Sequence, residues 1–185
     1  MNLKEKIENK HATLGIIGLG YVGLPLLIEF AREDFSIIGF DIDETKVVKL
    51  KDNQSYFKHI PSERVAEINK NGKIDYTSDF SRTAEADVLL LAVPTPLDEH
   101  HQPDLSFIEN TAKSIKPYLR EEQLVILESS TWPGTTAEVL APILEESGLE
   151  CGEDFYVAFS PEREDPNNPK FTMRNTPKVV GADNE

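Results

Sequence analysis

Residues 13–41 read TLGIIGLGYVGLPLLIEFAREDFSIIGFD. The apolar, β-branched run at 13–18 ends in glycine, as a strand buried on both faces does. From Gly23 onward, GLPLLIEFAR places its apolar residues at helical spacing. FSIIGFD at 35–41 is a second buried strand, closed by a carboxylate. The three glycines at the first strand–helix corner have separate uses. Gly18 permits the tight turn, Gly20 removes a Cβ where a diphosphate must approach the backbone, and Gly23 lets the helix pack against the strand. The amides around Tyr21 and Val22 open the helix, and the first N–H groups of a helix are unpaired and carry about half a positive charge. Asp41 lies 18 positions beyond Gly23, where a carboxylate accepts hydrogen bonds from an adenosine ribose diol. The same carboxylate repels a 2′-phosphate, and Ile42 rather than Arg follows it. The expected cofactor is therefore NAD rather than NADP. The bland alternative is a glycine turn that tightens a βα corner, with Asp41 a strand-end surface residue.

The same alternation continues outward. Further strands are expected at 74–77, 87–93, 124–128, 155–159 and 178–181. Helices are expected at 1–11, at 43–51 capped by Asp43, from Pro61 at the first helical position to about residue 70, from an Asp104 cap to about 118, and from 134 to about 147. Strands alternating with amphipathic helices imply an α/β fold of the Rossmann type. Its expected form is a doubly wound, mostly parallel sheet of six to eight strands with helices on both faces. Residues 1–12 form a polar N-terminal helix and 13–185 one NAD-binding domain.

Composition narrows the function. Hydrophobic residues make up 39 % of the chain, enough for a packed core. No apolar stretch approaches the ~20 residues of a membrane helix, and the Lys/Glu-alternating start is no secretory signal. The net charge of −14, from 19 basic and 33 acidic residues, argues against nucleic acid as a partner. Cys151 is the single cysteine, which fits a reducing cytoplasm. No metal site is expected: His100 and His101 are adjacent and cannot both face one ion from a regular element, and His11 and His59 are isolated.

Ligands of open parallel sheets sit beyond the carboxyl ends of the strands. Three further strand-end segments are candidates there. Val93-Pro94-Thr95-Pro96 is stiffened by two prolines, and Thr95 is placed to offer its hydroxyl and amide to the cofactor or to belong to a rigid turn without a ligand. In the segment at 128–136, ESSTWPGTT, Thr135 and Thr136 suit helix capping. Ser129, Ser130 and Thr131 are left to hold a water or a substrate hydroxyl, unless all five hydroxyls serve the turn. At 160–166, SPEREDP, Glu162 is a candidate general base or water-orienting acid near the nicotinamide. Arg163 is placed to pair with a phosphate or a neighbouring acid, and a solvated charged loop is the alternative.

Four of these segments, GLGYVGLP at 18–25, VPTP at 93–96, ESSTWPGTT at 128–136 and SPERE at 160–164, occur in an order and spacing that resemble the UDP-glucose/GDP-mannose dehydrogenase family. SPEREDP and SYFKHIPSE at 55–63 look most like its UDP-N-acetylglucosamine 6-dehydrogenase branch. The resemblance implies oxidation of C6 of a UDP-N-acetylhexosamine to a uronic acid with two NAD⁺, for surface polysaccharides, through a cysteine-bound thiohemiacetal and thioester. It implies that Gly18, Gly20, Tyr21, Val22, Gly23, Asp41, Val93, Pro94, Thr95, Ser130, Thr131 and Glu162 meet the cofactor. Ser130 and Glu162 are the catalytic candidates, holding and working with the catalytic water; Arg163 and Glu164 are candidate substrate residues. Pro166 stands where other members carry a second acid, so the role of Glu164 stays open. The family's nucleophilic cysteine, Lys and Asn belong to a central helix and a second domain that these 185 residues do not contain. Cys151, at the start of a strand away from the cleft, is read as an ordinary small residue. The chain is thus expected to bind NAD without turnover, and the full-length protein to be a homo-oligomeric cytoplasmic enzyme. Two other readings stay open: a non-catalytic NAD-binding module, and a 3-hydroxyacid dehydrogenase of the 6-phosphogluconate type.

Overall fold

The computed structural model describes residues 1–97, 102–161 and 175–182. Seven strands form one sheet: β1 (Thr13–Ile17), β2 (Ser36–Phe40), β3 (Ile74–Thr77), β4 (Val88–Leu91), β5 (Leu124–Leu127), β6 (Tyr156–Phe159) and β7 (Gly181–Ala182). Their order is β3-β2-β1-β4-β5-β6-β7, with all neighbours parallel except β6 and β7. The expected doubly wound sheet is therefore present. The last strand differs from expectation: it starts at Gly181 rather than 178 and runs antiparallel at the edge.

Alternation along the strands builds two cores, because successive side chains point to opposite faces. Leu14, Ile16, Val88 and Leu90 join α2 (Gly23–Arg32), α3 (Glu44–Lys51) and α4 (Ser62–Asn69) on one face. Ile17, Leu89, Leu91, Val125 and Leu127 join α5 (Ser106–Ile115) and α6 (Ala141–Glu145) on the other. Helix starts follow local chemistry with small shifts. Asp43 caps α3 by accepting the Thr45 N–H at 2.9 Å. Asp104 accepts the Ser106 N–H at 2.9 Å, although the helix begins only at Ser106. Pro61 is the residue before α4 rather than its first, held extended at ψ 149°. The helix expected from 134 instead begins as a π turn, Thr136–Leu140. Pro142 has no N–H to return to the Glu138 carbonyl, and the turn before it widens.

The N-terminal helix α1 (Leu3–Glu8) opens with a reciprocal Asn2–Glu5 capping box. It docks through more than its thin apolar stripe of Leu3 and Ile7. Lys6 Nζ reaches Asp87 at 2.7 Å, where the Thr13 N–H (2.9 Å) and Arg120 Nη2 (2.8 Å) also donate. Burial pushes the Asp87 carboxyl up, but the hydrogen bonds from Lys6, Thr13 and Arg120 outweigh it and hold the group below the usual carboxylate range. A depressed folded pKa stabilises the fold above the unfolded value, near pH 4, and the contribution is lost as pH falls through the folded value. Asp87→Asn should therefore unfold more easily than the unaltered chain by about 1–3 kcal/mol at neutral pH. That gap should close as pH falls below about 4. Thermal unfolding followed from pH 7 to 3 checks this; a gap that does not change with pH would remove the charge from the explanation.

Candidate functional site

The winding of the sheet reverses between β1 and β4, which opens a crevice at their carboxyl ends. A cleft of about 340 Å³ lies there. Of the residues expected to meet a cofactor, Gly18, Gly20, Tyr21, Val22, Asp41, Val93 and Pro94 line it together. Ile42, Lys46, Phe80, Phe107 and Thr111 are also part of its wall.

The glycine corner is shaped by three different constraints. Gly18 has φ of +90°, and a Cβ there would sit 2.6 Å from the Ala92 carbonyl oxygen, so only glycine makes this turn without strain. At Gly23 a Cβ would lie 1.8 Å from the Gly18 carbonyl oxygen, which explains the close seating of α2 on β1. At Gly20 a Cβ would meet nothing within 4 Å. Packing therefore does not require glycine at 20, whereas a ligand passing over the corner does. The first helical amide bonded back is that of Leu24, to the Gly20 carbonyl at 3.2 Å, so the preceding amides at Gly20, Tyr21 and Val22 are left for an anion. Pro25 brings no N–H to the ladder between the Leu24 and Leu26 bonds, which costs the first turn one bond.

Asp41 is 5 % exposed at the end of β2. Its Oδ2 accepts the Leu19 N–H and Lys46 Nζ, both at 2.9 Å, and its Oδ1 accepts the Asp43 N–H at 2.9 Å. The acid is thus tied to the glycine corner: Oδ2 is filled by two donors, and Oδ1, with one, keeps acceptor capacity. Lys46 is a site residue that the strand-and-glycine reading missed. Its signal was local: Asp43 caps α3, which fixes the first turn of that helix and turns Lys46 back onto the end of β2.

Beyond Val93 and Pro94, which line the cleft, the segments after β4 and β5 meet one another. The Thr95 hydroxyl donates to the Ser130 carbonyl at 2.6 Å, and the Ser129 hydroxyl to the Val93 carbonyl at 2.6 Å. These bonds stitch the end of β4 to the end of β5. The Thr95 hydroxyl is thus engaged within the protein, in line with the rigid-turn alternative. Ser130 is exposed on this rim, and Thr131 shares a hydrogen bond of 2.9 Å with Thr135. Thr135 does not cap with its side chain, contrary to expectation; its hydroxyl bonds the Trp132 carbonyl at 2.9 Å and closes the turn instead. Glu128 is buried and pairs with Lys178 at 2.5 Å. Glu162, Arg163 and Glu164 lie outside the described residues, as do His100 and His101. Cys151 precedes β6 at the end of the sheet remote from the cleft, and its N–H meets Glu145 at 3.2 Å. His59 is not isolated: its ring stacks on Tyr21 at 5.4 Å between centroids.

A glycine corner, an acid on the adjacent strand end and a crevice at the reversal of a parallel sheet define a dinucleotide-binding domain of the dehydrogenase type. Residues 12–185 match the UDP-glucose/GDP-mannose dehydrogenase family, NAD binding domain. The chain belongs to that family and is its NAD-binding domain. It is 38 % identical over 170 residues to Protein CapL of Staphylococcus aureus, covering 91 % of this chain and 39 % of that protein. It is 34 % identical over 174 residues to the UDP-N-acetyl-D-glucosamine 6-dehydrogenase of Pseudomonas aeruginosa, covering 94 % and 40 %. Among solved structures, the NDP-N-acetyl-D-galactosaminuronic acid dehydrogenase of Methanosarcina mazei superposes with a TM-score of 0.85 at 33 % identity, over 98 % of this chain and 42 % of that one. The chain thus spans about two-fifths of the length of the curated relatives it matches.

Proposed function

We propose that this domain serves an enzyme that oxidises C6 of a UDP-N-acetylhexosamine, UDP-N-acetylglucosamine first among the candidates, to the uronic acid for surface polysaccharide. Relatives named UDP-N-acetyl-D-glucosamine 6-dehydrogenase and UDP-N-acetyl-D-mannosamine dehydrogenase, each about a third identical to this chain, support the substrate class. The observation that carries the reading is the open space over Gly20 beside Asp41, a cradle that a diphosphate and a ribose fill. Bound NAD supplies the two-electron oxidant. The residues of the chain do the positioning: the amides at Gly20, Tyr21 and Val22 hold the diphosphate and Asp41 the ribose diol. Ile42 and Phe107, which line the cleft, would hold the adenine.

Val93 and Pro94 shape the nicotinamide side of the crevice. The stitched β4 and β5 ends keep Ser130 and Thr131 on its rim, where Ser130 holds the water of the hydrolytic step and Thr131 borders the cofactor. Glu162 works with that water, and Arg163 and Glu164 face the sugar nucleotide; these three roles rest on the family resemblance. The enzyme acts as a homo-oligomer in the cytoplasm, where NAD and UDP-sugars meet. Among the described residues no helix is long and apolar enough to cross a membrane.

A panel of UDP-N-acetylglucosamine, UDP-N-acetylmannosamine, UDP-glucose and phosphorylated 3-hydroxyacids, assayed with NAD on the full product of the gene, tests the reading. Two NADH per UDP-N-acetylhexosamine are expected. Preference for UDP-glucose or for a 3-hydroxyacid would overturn the substrate, and NAD binding with no turnover on any of them would favour a regulatory module.

A further inference from the structure

Leu19, at the centre of the glycine corner, is gripped through both of its peptides. The Leu19 N–H donates to Asp41 at 2.9 Å, and the Leu19 carbonyl accepts the Tyr56 hydroxyl at 2.5 Å. Tyr56 comes from the loop between α3 and α4, 37 positions along the chain. Lys46 closes the circuit: its ammonium lies 2.9 Å from Asp41 and 6.0 Å from the centre of the Tyr56 ring. The same loop brings Phe57 and His59 against the Tyr21 ring, at 5.0 and 5.4 Å between centroids. Five side chains outside the glycine motif, Asp41, Lys46, Tyr56, Phe57 and His59, thus bear on it.

The carbonyl that Tyr56 holds belongs to the peptide whose N–H is that of Gly20. In a planar trans peptide these two groups point in opposite directions. Fixing the oxygen toward Tyr56 therefore fixes the Gly20 N–H away from it, on a residue that lines the cleft and has no atom within 4 Å of its missing Cβ. A carbonyl that accepts a hydrogen bond also polarises its peptide and makes the N–H a stronger donor. Burial, and then the nearby Asp41 charge, push the Tyr56 hydroxyl well above its ordinary range, so it remains a donor throughout the neutral region.

We propose that Tyr56 is a positioning residue for the cofactor: by holding the Leu19 carbonyl, its hydroxyl aims the Gly20 amide at the diphosphate. The proposal rests on the diphosphate lying over Gly20. Tyr56→Phe tests it, because the ring stays under Lys46 and only the hydroxyl goes. Titration calorimetry should show NAD and ADP-ribose binding about 5–10-fold more weakly. Adenosine, which has no phosphate, should bind within about twofold of the unaltered chain when followed by chemical-shift titration, and the melting temperature should move by no more than a few degrees. Unchanged affinity for NAD and ADP-ribose overturns the proposal. An equal loss for adenosine also overturns it, by making Tyr56 a general support of the loop. A second measurement needs no variant: in the unaltered chain the Gly20 amide resonance should move downfield with ADP-ribose and stay in place with adenosine, and an unmoved resonance refutes the aim. If Gly20→Val still binds NAD, the placement of the diphosphate fails; if that variant loses NAD while Tyr56→Phe keeps it, only the role of Tyr56 fails.

Discussion

Gly20→Val should abolish NAD binding while leaving the domain folded. The two halves of this result have separate causes. A Cβ at residue 20 meets no protein atom within 4 Å, and Gly20 is not among the glycines with positive φ, so the backbone accepts a side chain. The isopropyl group then occupies the space in which the diphosphate must approach the Gly20, Tyr21 and Val22 amides. Affinity should fall by at least about a hundredfold, close to 3 kcal/mol, while the melting temperature stays within roughly 2–4 °C. Gly23→Ala is the control with the opposite signature. Its Cβ would sit 1.8 Å from the Gly18 carbonyl oxygen, so helix and turn must separate, and stability should fall together with binding. Calorimetry and thermal unfolding on the three chains distinguish these outcomes. NAD binding by Gly20→Val with ordinary affinity would place the diphosphate elsewhere.

The second large effect is expected at Asp41. Asp41→Ala should weaken NAD binding by about 1–3 kcal/mol, the range for charge-assisted bonds to a ribose diol. The structure adds two consequences. Because Asp41 also accepts the amides of Leu19 and Asp43, the variant leaves the glycine corner unanchored and should melt at lower temperature. Because Lys46 loses its carboxylate partner within the cleft, an unpaired cation then stands where a 2′-phosphate would lie. The preference for NAD over NADP should therefore narrow, both by loss of repulsion and by gain of a cation. Parallel titrations with the two cofactors measure this. An NAD affinity untouched by Asp41→Ala would remove the residue from the ribose site, and a preference that did not move would remove Lys46 from it.

Two parts of the domain differ in how far their geometry is set by the local chain. The glycine corner and Asp41, proposed to read the cofactor, are local in the chain. The geometry of the rim formed by the ends of β4 and β5 depends instead on bonds such as Thr95 to Ser130, between residues 35 positions apart.

The sequence by itself determined what local physics dictates. Strands 13–17 and 36–40 follow from short apolar runs with paired isoleucines, α3 from its Asp43 cap, and the glycine corner from residues whose lack of a side chain has no other use. It also carried the placement of Asp41, because a strand end beside a glycine turn is a position defined by chain order. What only the tertiary structure decided are the contacts between segments distant in sequence. Tyr56 reads locally as one aromatic in a loop, and nothing near it in the chain says that its hydroxyl meets Leu19. Thr135 reads locally as a cap, yet its hydroxyl closes the turn to Trp132. Lys6 reads as a solvated charge on a polar helix until the fold brings Asp87 beneath it. Periodicity and capping are set within one turn or one strand, whereas a hydrogen bond between remote residues exists only once the sheet has set their separation.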